Sequence, residues 1–313
     1  MNRNPKRLRA TRVWAALVAA ASLLQNGCKP ANPSKTSRQG AASSGKMTIQ
    51  VKGSDTMVNL AQLWAEEYNK IDPNVSIEVS GGGTGVGLAA LCKGTVDMAN
   101  ASRNAKPAEI ENAKKNTGKE PVEFVMGHDA LAIYVHKDNP LDQITEEQLA
   151  GIYAEGGKTT RWSQLGVQVP GRATDEIICI SRQSSSGSYE LFRERVLKNR
   201  DFKLGSRDMN GSKEVVDLVG STPGSIGYSG MGYATPSVKM LRVAASAGQQ
   251  AYAPTAENTL SKRYPIARSL LTYTLGEPEG VLKNYIDWQR SEAGQKIVEE
   301  SGFVPLASTL FKP

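Results

Sequence analysis

The feature that most constrains the fold is a recurring order of segments: a β-type stretch, a short loop rich in glycine and hydroxylated residues, and a helix with an apolar stripe. MTIQVK leads through GSDT into a helix in which Leu60, Trp64 and Tyr68 recur every four residues. VSIEVS leads through GGGTGVG into LAALCKG, and VDMANAS provides a third strand. Strands that alternate with helices predict an α/β protein with a parallel or mixed sheet covered on both faces.

The same order continues after a long strand-like run, DALAIYVHKDNPL, beyond which a second lobe is expected to begin. Thr145 and Gln148 have the spacing of a capping box, and Ser212 is placed to cap the helix KEVVDLV. EIICIS is predicted to be a central strand and YPIARSLLTYTL a further strand that crosses between lobes. Two helices, EGVLKNYIDWQ and EAGQKIVEES, are predicted to end the chain.

The N-terminal segment differs in charge from the rest of the chain. The sequence contains 38 basic and 31 acidic residues, but nine of the basic and none of the acidic residues precede Met47, which leaves 29 against 31. The remainder is therefore close to neutral, which disfavours a basic patch that binds nucleic acid. Residues 1–27 combine a basic start, the apolar run VWAALVAAASLL and a small Gly27, and are predicted to be a secretory signal.

Cys28 follows that segment in LLQNGC, which resembles a bacterial lipoprotein signal, although Gln25 stands where an aliphatic residue is expected. We expect Cys28 to be lipidated, and the alternative is cleavage and release. Residues 28–46 are rich in Pro, Ser, Gly and Ala and are predicted to be a flexible tether. The expected location is the cell envelope, in the periplasm or at the cell surface, with a lipid anchor in the membrane. Cys92 and Cys179 lie in apolar contexts that predict buried free thiols.

Three loops that lead into helices are candidates for binding an anion: residues 53–56, 81–87 and 182–188. A helix N-terminus offers unpaired N–H groups and the positive end of the helix dipole, glycine permits close approach, and Ser or Thr adds hydroxyl donors. For each loop taken alone, N-capping and turn formation are the commoner role of Ser, Thr and Gly. Arg182 favours ligand contact for the third loop, because its guanidinium can fork onto an oxyanion held at the helix start; an ordinary salt bridge is the alternative.

Motifs of enzymes are missing from the sequence. GGGTGVG lacks the G-x-G-x-x-G spacing, no G-x-x-x-x-G-K-[ST] occurs, and SSSGS is not a G-x-S-x-G nucleophile elbow. His128 and His136 lie eight residues apart on a predicted strand, where a structural role outweighs that of a base or metal ligand. We therefore expect a protein that is not an enzyme and that uses no cofactor or metal.

Four segments together resemble the PstS-type phosphate-binding proteins of bacterial ABC transporters. They are GSDTMVNLAQLWAEEYNK, GGGTGVGLAALCKGTVDMANASR, RQSSSGSYELFRERVL and GSIGYSGMGYA, in the same order as in the family and within a match from about Thr48 to the C-terminus. The resemblance implies a type II periplasmic-binding-protein fold: two α/β lobes with mixed sheets, joined by two crossing strands as a hinge, which close over one tetrahedral anion. The expected lobes are residues 47–130 with 265–313, and residues 131–264.

The resemblance also implies the residues that bind phosphate. They are Ser54, Thr56, Met57 through its backbone N–H, Thr84, Ser102, Arg103, Asp129, Arg182, Ser186, Gly187 and Ser188. Several family members carry, where this chain has Arg103, an aspartate that accepts the proton of phosphate. A carboxylate acceptor would favour phosphate over unprotonated sulfate. Asp55 and Asp129 are the candidates for that role, with Asp97 as a third, and Arg103 either touches the anion or bridges the lobes.

The expected function is therefore that of a monomeric extracytoplasmic receptor. It would capture inorganic phosphate between its lobes and deliver it to the permease and ATPase complex of an ABC transporter. One alternative is a receptor for another tetrahedral oxyanion such as sulfate. The other is a secreted phosphatase on the same scaffold with Ser186 or Thr56 as nucleophile, which would need a base and usually a metal that no motif provides.

Overall fold

The computed structural model describes residues 46–306. The predicted signal segment, Cys28 with its predicted lipid, the tether up to residue 45, and residues 307–313 lie outside the described residues.

The strands are β1 (Met47–Gly53), β2 (Val75–Ser80), β3 (Met98–Ala101), β4 (Pro121–His136), β5 (Gln143–Thr145), β6 (Ile178–Arg182), β7 (Arg207–Met209), β8 (Ser225–Gly230), β9 (Val238–Met240), β10 (Arg242–Ala244) and β11 (Ala267–Leu275). The helices are α1 (Val58–Ile71), α2 (Thr84–Leu91), α3 (Pro107–Thr117), α4 (Glu146–Tyr153), α5 (Gly187–Arg195), α6 (Ser212–Ser221), α7 (Ala256–Leu260), α8 (Gly280–Gln289) and α9 (Glu292–Glu300).

One mixed sheet runs through the described residues in the order β2-β1-β3-β11-β4-β8-β6-β7, with β9 added beside β4. The pairs β1–β2, β1–β3, β6–β7 and β6–β8 are parallel. β11 pairs antiparallel with both β3 and β4, and β4 pairs antiparallel with β8. β5 and β10 form a separate parallel pair. The predicted α/β class with a mixed sheet is confirmed, and β11 and β4 join one group of parallel strands to the other.

β4 is the longest strand, and it changes partners halfway along. Its first part, residues 121–130, pairs with β11, and residues 131–136 pair with β8 and β9. The Leu131 N–H donates to the Ile266 carbonyl at 2.9 Å, so the chain just before β11 runs beside the point of change. The strand begins eight residues before the run that the sequence analysis singled out, because PVEFVMGH pairs with residues 269–275 of β11.

The apolar side chains form two large buried clusters, and β4 contributes to both. Met126 belongs to a cluster that includes Trp64 of α1 and Leu270 of β11. Leu131 belongs to a cluster that includes Phe192 of α5 and Ile226 of β8. Each group of parallel strands therefore has its own hydrophobic core, and β4 connects the two cores covalently.

Local sequence signals account for several helix ends. The stripe of Leu60, Trp64 and Tyr68 is buried as predicted, and Thr145 with Gln148 forms the predicted capping box at α4. The prediction for Ser212 is wrong: Gly211 is the N-cap of α6, and Ser212 is the first helical residue with no capping bond. Its hydroxyl instead accepts a hydrogen bond from a distant arginine, described below.

The two cysteines of the described residues are free and buried, as predicted. Burial raises the pKa of both the Cys92 and the Cys179 thiol. Between residues 46 and 306, no helix has the length and apolar character needed to cross a membrane.

Trp64 is expected to be a main contributor to the stability of the first core. It is fully buried, and its indole N–H donates to the Gly294 carbonyl at 2.8 Å, which ties α1 to α9. Trp64→Ala removes this bond and leaves a cavity, so the free energy of unfolding should fall by about 3–5 kcal/mol in urea titrations. Leu63→Ala is the control on the same helix: Leu63 is 42% exposed, and its loss should cost at most about 1 kcal/mol. Equal losses in the two variants would contradict this account of the core.

Candidate anion-binding site

Loops that follow the parallel strands bring hydroxyl groups together at one edge of the sheet. β1 and β3 are parallel and adjacent, so Ser54 and Thr56 after β1 lie near Ser102 after β3, and the Ser54 N–H donates to the Asn100 carbonyl at 2.8 Å. β6 ends at Arg182, and Ser212 follows β7 at the start of α6. The carboxyl ends of parallel strands are where α/β folds bind ligands.

Six hydroxyl groups that are buried from bulk solvent lie together and are called here the hydroxyl cluster. Its members are each at most 2% exposed and are Ser54, Thr56, Thr84, Ser102, Ser188 and Ser212. Thr56 Oγ1 lies 3.3 Å from Ser188 Oγ and 3.4 Å from Ser212 Oγ, and Thr84 Oγ1 lies 3.3 Å from Ser102 Oγ. The cluster therefore joins residues that follow both groups of parallel strands.

Gly187, the first residue of α5, fits tightly between two members of the hydroxyl cluster. A Cβ atom at this position would lie 2.5 Å from both Thr84 Oγ1 and Ser102 Oγ, which no real side chain tolerates. The absence of a side chain lets the N-terminus of α5 approach the hydroxyls. Its unpaired N–H groups and positive dipole end are therefore directed at the cluster.

Arg182 places a buried positive charge beside the hydroxyl cluster. Its Nη1 donates to Ser212 Oγ at 2.9 Å, and its Nη2 donates to Asp55 Oδ2 at 3.0 Å. Burial lowers the pKa of Arg182; the Asp55 carboxylate opposes this, and the Arg268 guanidinium adds to it. Arginine stays protonated at neutral pH even so. Nε of Arg182 and Oγ of Ser54 are buried and have no hydrogen-bond partner within residues 46–306. Buried polar atoms normally have a partner, so these two atoms are candidates for contact with a polar ligand.

Arg268 is a second buried arginine at the cluster, and the sequence analysis did not identify it. Its Nη1 donates to Ser188 Oγ at 2.9 Å and its Nη2 to Thr56 Oγ1 at 3.2 Å. Nε and Nη2 also donate to Asp129 Oδ2 at 2.9 and 2.7 Å. One guanidinium thus contacts hydroxyls from both sides of the cluster and the one carboxylate of β4 that lies there.

Asp129, a predicted site residue, lies in the cluster and already accepts three hydrogen bonds from the protein. Besides the two bonds from Arg268, its Oδ1 accepts from the Met231 N–H at 3.0 Å. Burial raises the pKa of Asp129, and Arg268 and the backbone N–H groups oppose this rise. A carboxylate offers about four lone-pair positions, so little capacity remains for a ligand.

Asp55 and Asp97, the other two carboxylates considered, differ sharply in position. Asp55 borders the cluster and accepts from the Gly82 N–H at 2.8 Å and from Arg182, which leaves it two lone-pair positions. Asp97 is exposed and accepts from the Gln50 N–H at 2.8 Å. Of the three, Asp55 is the carboxylate with spare acceptor capacity beside the hydroxyl cluster.

Three of the predicted site residues have other hydrogen-bond partners. The Met57 N–H donates to the Ser54 carbonyl at 2.9 Å. Ser186 is the N-cap of α5, and its Oγ accepts from the Ser188 N–H at 3.1 Å. The Arg103 guanidinium forms a bidentate pair with Glu109 at 2.8 and 2.9 Å. None of these groups donates to the hydroxyl cluster.

The arrangement suits a compact oxyanion. Hydroxyls, two guanidinium groups and a helix N-terminus converge on one enclosed region, and the charges of the two arginines are matched by Asp55 and Asp129. Hydrogen bonds of this kind are strong because water is excluded. No group of three or more His, Cys, Asp or Glu side chains within residues 46–306 is arranged to hold a metal ion.

Comparison with known proteins identifies the family. The family model for the PBP superfamily domain matches residues 34–293. The phosphate-binding protein PstS of Pseudomonas aeruginosa is 32% identical over 311 residues, which cover 96% of this chain and 95% of that protein. The PstS of Bacillus subtilis is 30% identical over 301 residues and covers 94% of this chain and 93% of its own.

Solved structures agree with the sequence comparison. A Clostridium perfringens protein, described as a phosphate ABC transporter substrate-binding protein and solved with bound phosphate, superposes with a TM-score of 0.72 at 28% identity over 83% of this chain and 99% of its own. An ABC-type phosphate transport receptor from Vibrio cholerae gives a TM-score of 0.65 at 26% identity over 82% of this chain and all of its own. The predicted two-lobed periplasmic-binding-protein fold is confirmed. The chain belongs to the PstS-type phosphate-binding proteins of the PBP superfamily.

Proposed function

We propose that this protein is a substrate receptor that captures inorganic phosphate in the hydroxyl cluster and delivers it to the permease of a phosphate ABC transporter. The observation that carries the proposal is the pair of buried arginines, Arg182 and Arg268, which face the same set of hydroxyl groups. The relatives named above, which are phosphate-binding proteins, support it. The proposed phosphate ligands are Ser54, Thr56, Thr84, Ser102, Arg182, Gly187, Ser188, Ser212 and Arg268.

Closure of two lobes over the anion is part of the proposal. The proposed lobes are residues 47–130 with 265–313, and residues 131–264. The two separate cores and the change of partner in β4 support this division. Contacts between the proposed lobes support a closed state: the Gly85 N–H donates to the Ser185 carbonyl at 3.0 Å, and Lys106 pairs with Glu190 at 3.0 Å. An anion held between such contacts would be removed from water.

The proposed location is the extracytoplasmic side of the membrane, with the signal segment removed and Cys28 lipidated. The names of the relatives support a role beside a membrane transporter, and the motif LLQNGC supports the anchor. A monomeric receptor, whose closed form the permease recognises, fits this role.

A phosphatase gains no support from the described residues. Ser186 Oγ is committed to capping α5, and the described side-chain partners of Thr56 are the hydroxyls of Ser188 and Ser212 and the Arg268 guanidinium.

Selectivity for phosphate over sulfate is proposed to depend on Asp55. Phosphate keeps a proton near neutral pH and can therefore donate a hydrogen bond to a carboxylate, whereas sulfate has no proton and cannot donate one. Asp129 already accepts three hydrogen bonds, and Asp97 lies elsewhere, while Asp55 accepts two and retains more acceptor capacity at the edge of the cluster.

Arg182→Ala tests the function. Removal of a buried, hydrogen-bonded charge costs about 2–5 kcal/mol in binding, so phosphate affinity should fall at least about 30-fold in isothermal titration of the chain freed of bound anion. Arg207→Ala, on the exposed edge strand β7, is the matched control and should bind like the wild type. Failure of the wild type to bind phosphate would overturn the function, and normal binding by Arg182→Ala would overturn the site.

Asp55→Asn tests the basis of selectivity. The variant keeps the shape of the side chain but can donate to a sulfate oxygen, so the ratio of phosphate to sulfate affinity should fall by at least about tenfold. Asp97→Asn should leave the ratio unchanged. If Asp55→Asn also leaves it unchanged, another group accepts the proton.

Gly187→Ala tests the close approach of α5. The added methyl group collides with Thr84 Oγ1 and Ser102 Oγ, so phosphate binding should weaken at least about tenfold, although alanine is a good helix former and the fold should remain. Gly85→Ala is the control, since a Cβ there meets its nearest atom, the Ser185 carbonyl oxygen, at an ordinary 3.4 Å. Titration should therefore separate the two variants, and similar affinities would contradict the geometry.

A further inference from the structure

A groove outside the hydroxyl cluster runs along the outer side of Arg268. It is a cavity of about 740 Å³ bounded by the end of α5, the start of α4 and the segment from α7 to β11. Ligand pockets for organic molecules have volumes of roughly 300–1,000 Å³. Six of its lining residues define what is called here the basic groove: Arg195, Lys198, Leu260, Lys262, Tyr264 and Arg268.

The charges of the basic groove are only partly compensated. Glu146 lines the groove and pairs with Lys198 at 2.8 Å, and Arg268 pairs with Asp129. Within residues 46–306, neither Arg195 nor Lys262 has a carboxylate within 4 Å. Arg195 Nη2 donates to the Pro265 carbonyl at 3.4 Å, so two positive charges face the groove without a carboxylate partner, in a concave surface that strengthens their combined field.

The backbone holds two of the groove cations in an uncommon conformation. Lys198 and Lys262 have φ values of 54° and 56°, in the left-handed region that lysine seldom occupies. Such a conformation costs on the order of 1 kcal/mol and persists where the surroundings impose it, often at functional sites. In the described part of the chain, the one other residue of this kind that is not glycine is Asn199, next to Lys198.

The groove also offers an apolar surface beside these cations. Leu260, at the end of α7, is 51% exposed and lines the same cavity as Lys262. An exposed leucine next to unpaired cations suits a ligand that is anionic at one end and apolar at the other.

We propose that the basic groove binds a phosphate monoester, with the phosphoryl group at Arg195 and Lys262 and the organic group against Leu260. The hydroxyl cluster disfavours such an ester, because its six side chains are each at most 2% exposed and an organic group attached to an anion held there would have no path to solvent. The lining of the groove and the proposed phosphate ligands have Arg268 in common and no other residue, so the groove is a second site. This inference does not depend on what the hydroxyl cluster binds.

Arg268 connects the two sites. It lines the groove and donates to Thr56 and Ser188 in the cluster, so an anion in the groove draws on the same positive charge. Occupation of the groove should weaken anion binding in the hydroxyl cluster. An anion in the cluster must then weaken ester binding in the groove by the same factor. Because the sites are distinct, this weakening should level off as the ester saturates the groove.

Isothermal titration with phenyl phosphate tests the proposal, on the full chain both freed of bound anion and saturated with inorganic phosphate. One binding event is expected in both conditions. Arg195→Glu and Lys262→Glu should each weaken it at least about tenfold, since each reverses a charge that faces the ester. Lys93→Glu, an exposed lysine after α2 that does not line the groove, makes the same change in net charge and should have no effect. Leu260→Ala should weaken phenyl phosphate but not methyl phosphate.

Three results would overturn the proposal: no binding of phenyl phosphate by the wild type, binding that the two groove variants leave intact, or weakening of phosphate that increases without limit as the ester is added. The last would mean that both ligands compete for the hydroxyl cluster. Failure of the chain to bind inorganic phosphate would reject the proposed transport function. The titration of the phosphate-free chain with phenyl phosphate would still test whether the basic groove binds the ester.

Discussion

The buried ion pair between Arg268 and Asp129 is the interaction on which the site depends. Both side chains are almost completely removed from water, at 3% and 0% exposure, and such a pair is tolerated only when further hydrogen bonds satisfy both partners. The remaining donors of Arg268 are satisfied by Thr56 and Ser188, and Asp129 also accepts from the Met231 backbone N–H. The pair lies where β4 changes partners, so it sets the position of the hydroxyls relative to the two cores.

The resulting site has many donors but no large excess of side-chain charge. Arg182 and Arg268 are each matched by a carboxylate, so the attraction for an anion comes from dipoles, hydroxyls and N–H groups arranged before the ligand arrives. Exclusion of water makes each of these contacts stronger than it would be at the surface. This explains how a chain whose described part is nearly neutral can present a site for a multiply charged ion.

Much of the fold was predictable because its signals are local. The stripe of α1, the capping box of α4 and the alternation of strands with helices each depend on residues a few positions apart. The three loops that the sequence singled out do surround the hydroxyl cluster, since Thr56, Thr84 and Ser188 are all members. The start of β4 was missed because its pairing with β11 joins residues more than 130 positions apart.

Arg268 and Ser212 were missed for a related reason. Arg268 lies inside the apolar run YPIARSLLTYTL, and its partner Asp129 lies inside another, GHDALAIYV. Opposite charges within two otherwise apolar strands are a usable signal, because neither could be buried without the other. Ser212 has the local pattern of a helix cap, and only the tertiary approach of Arg182 gives its hydroxyl a different partner.

The burial of both thiols in the described part of the chain has a practical consequence. Cys92 and Cys179 are shielded, and burial raises the pKa of each, so the reactive thiolate form is scarce at neutral pH. A cysteine introduced at an exposed position would therefore be labelled in preference to either. A fragment of residues 46–306 could carry an environment-sensitive dye near the contact between Lys106 and Glu190 without removal of its native cysteines, and could report ligand binding as a change in emission.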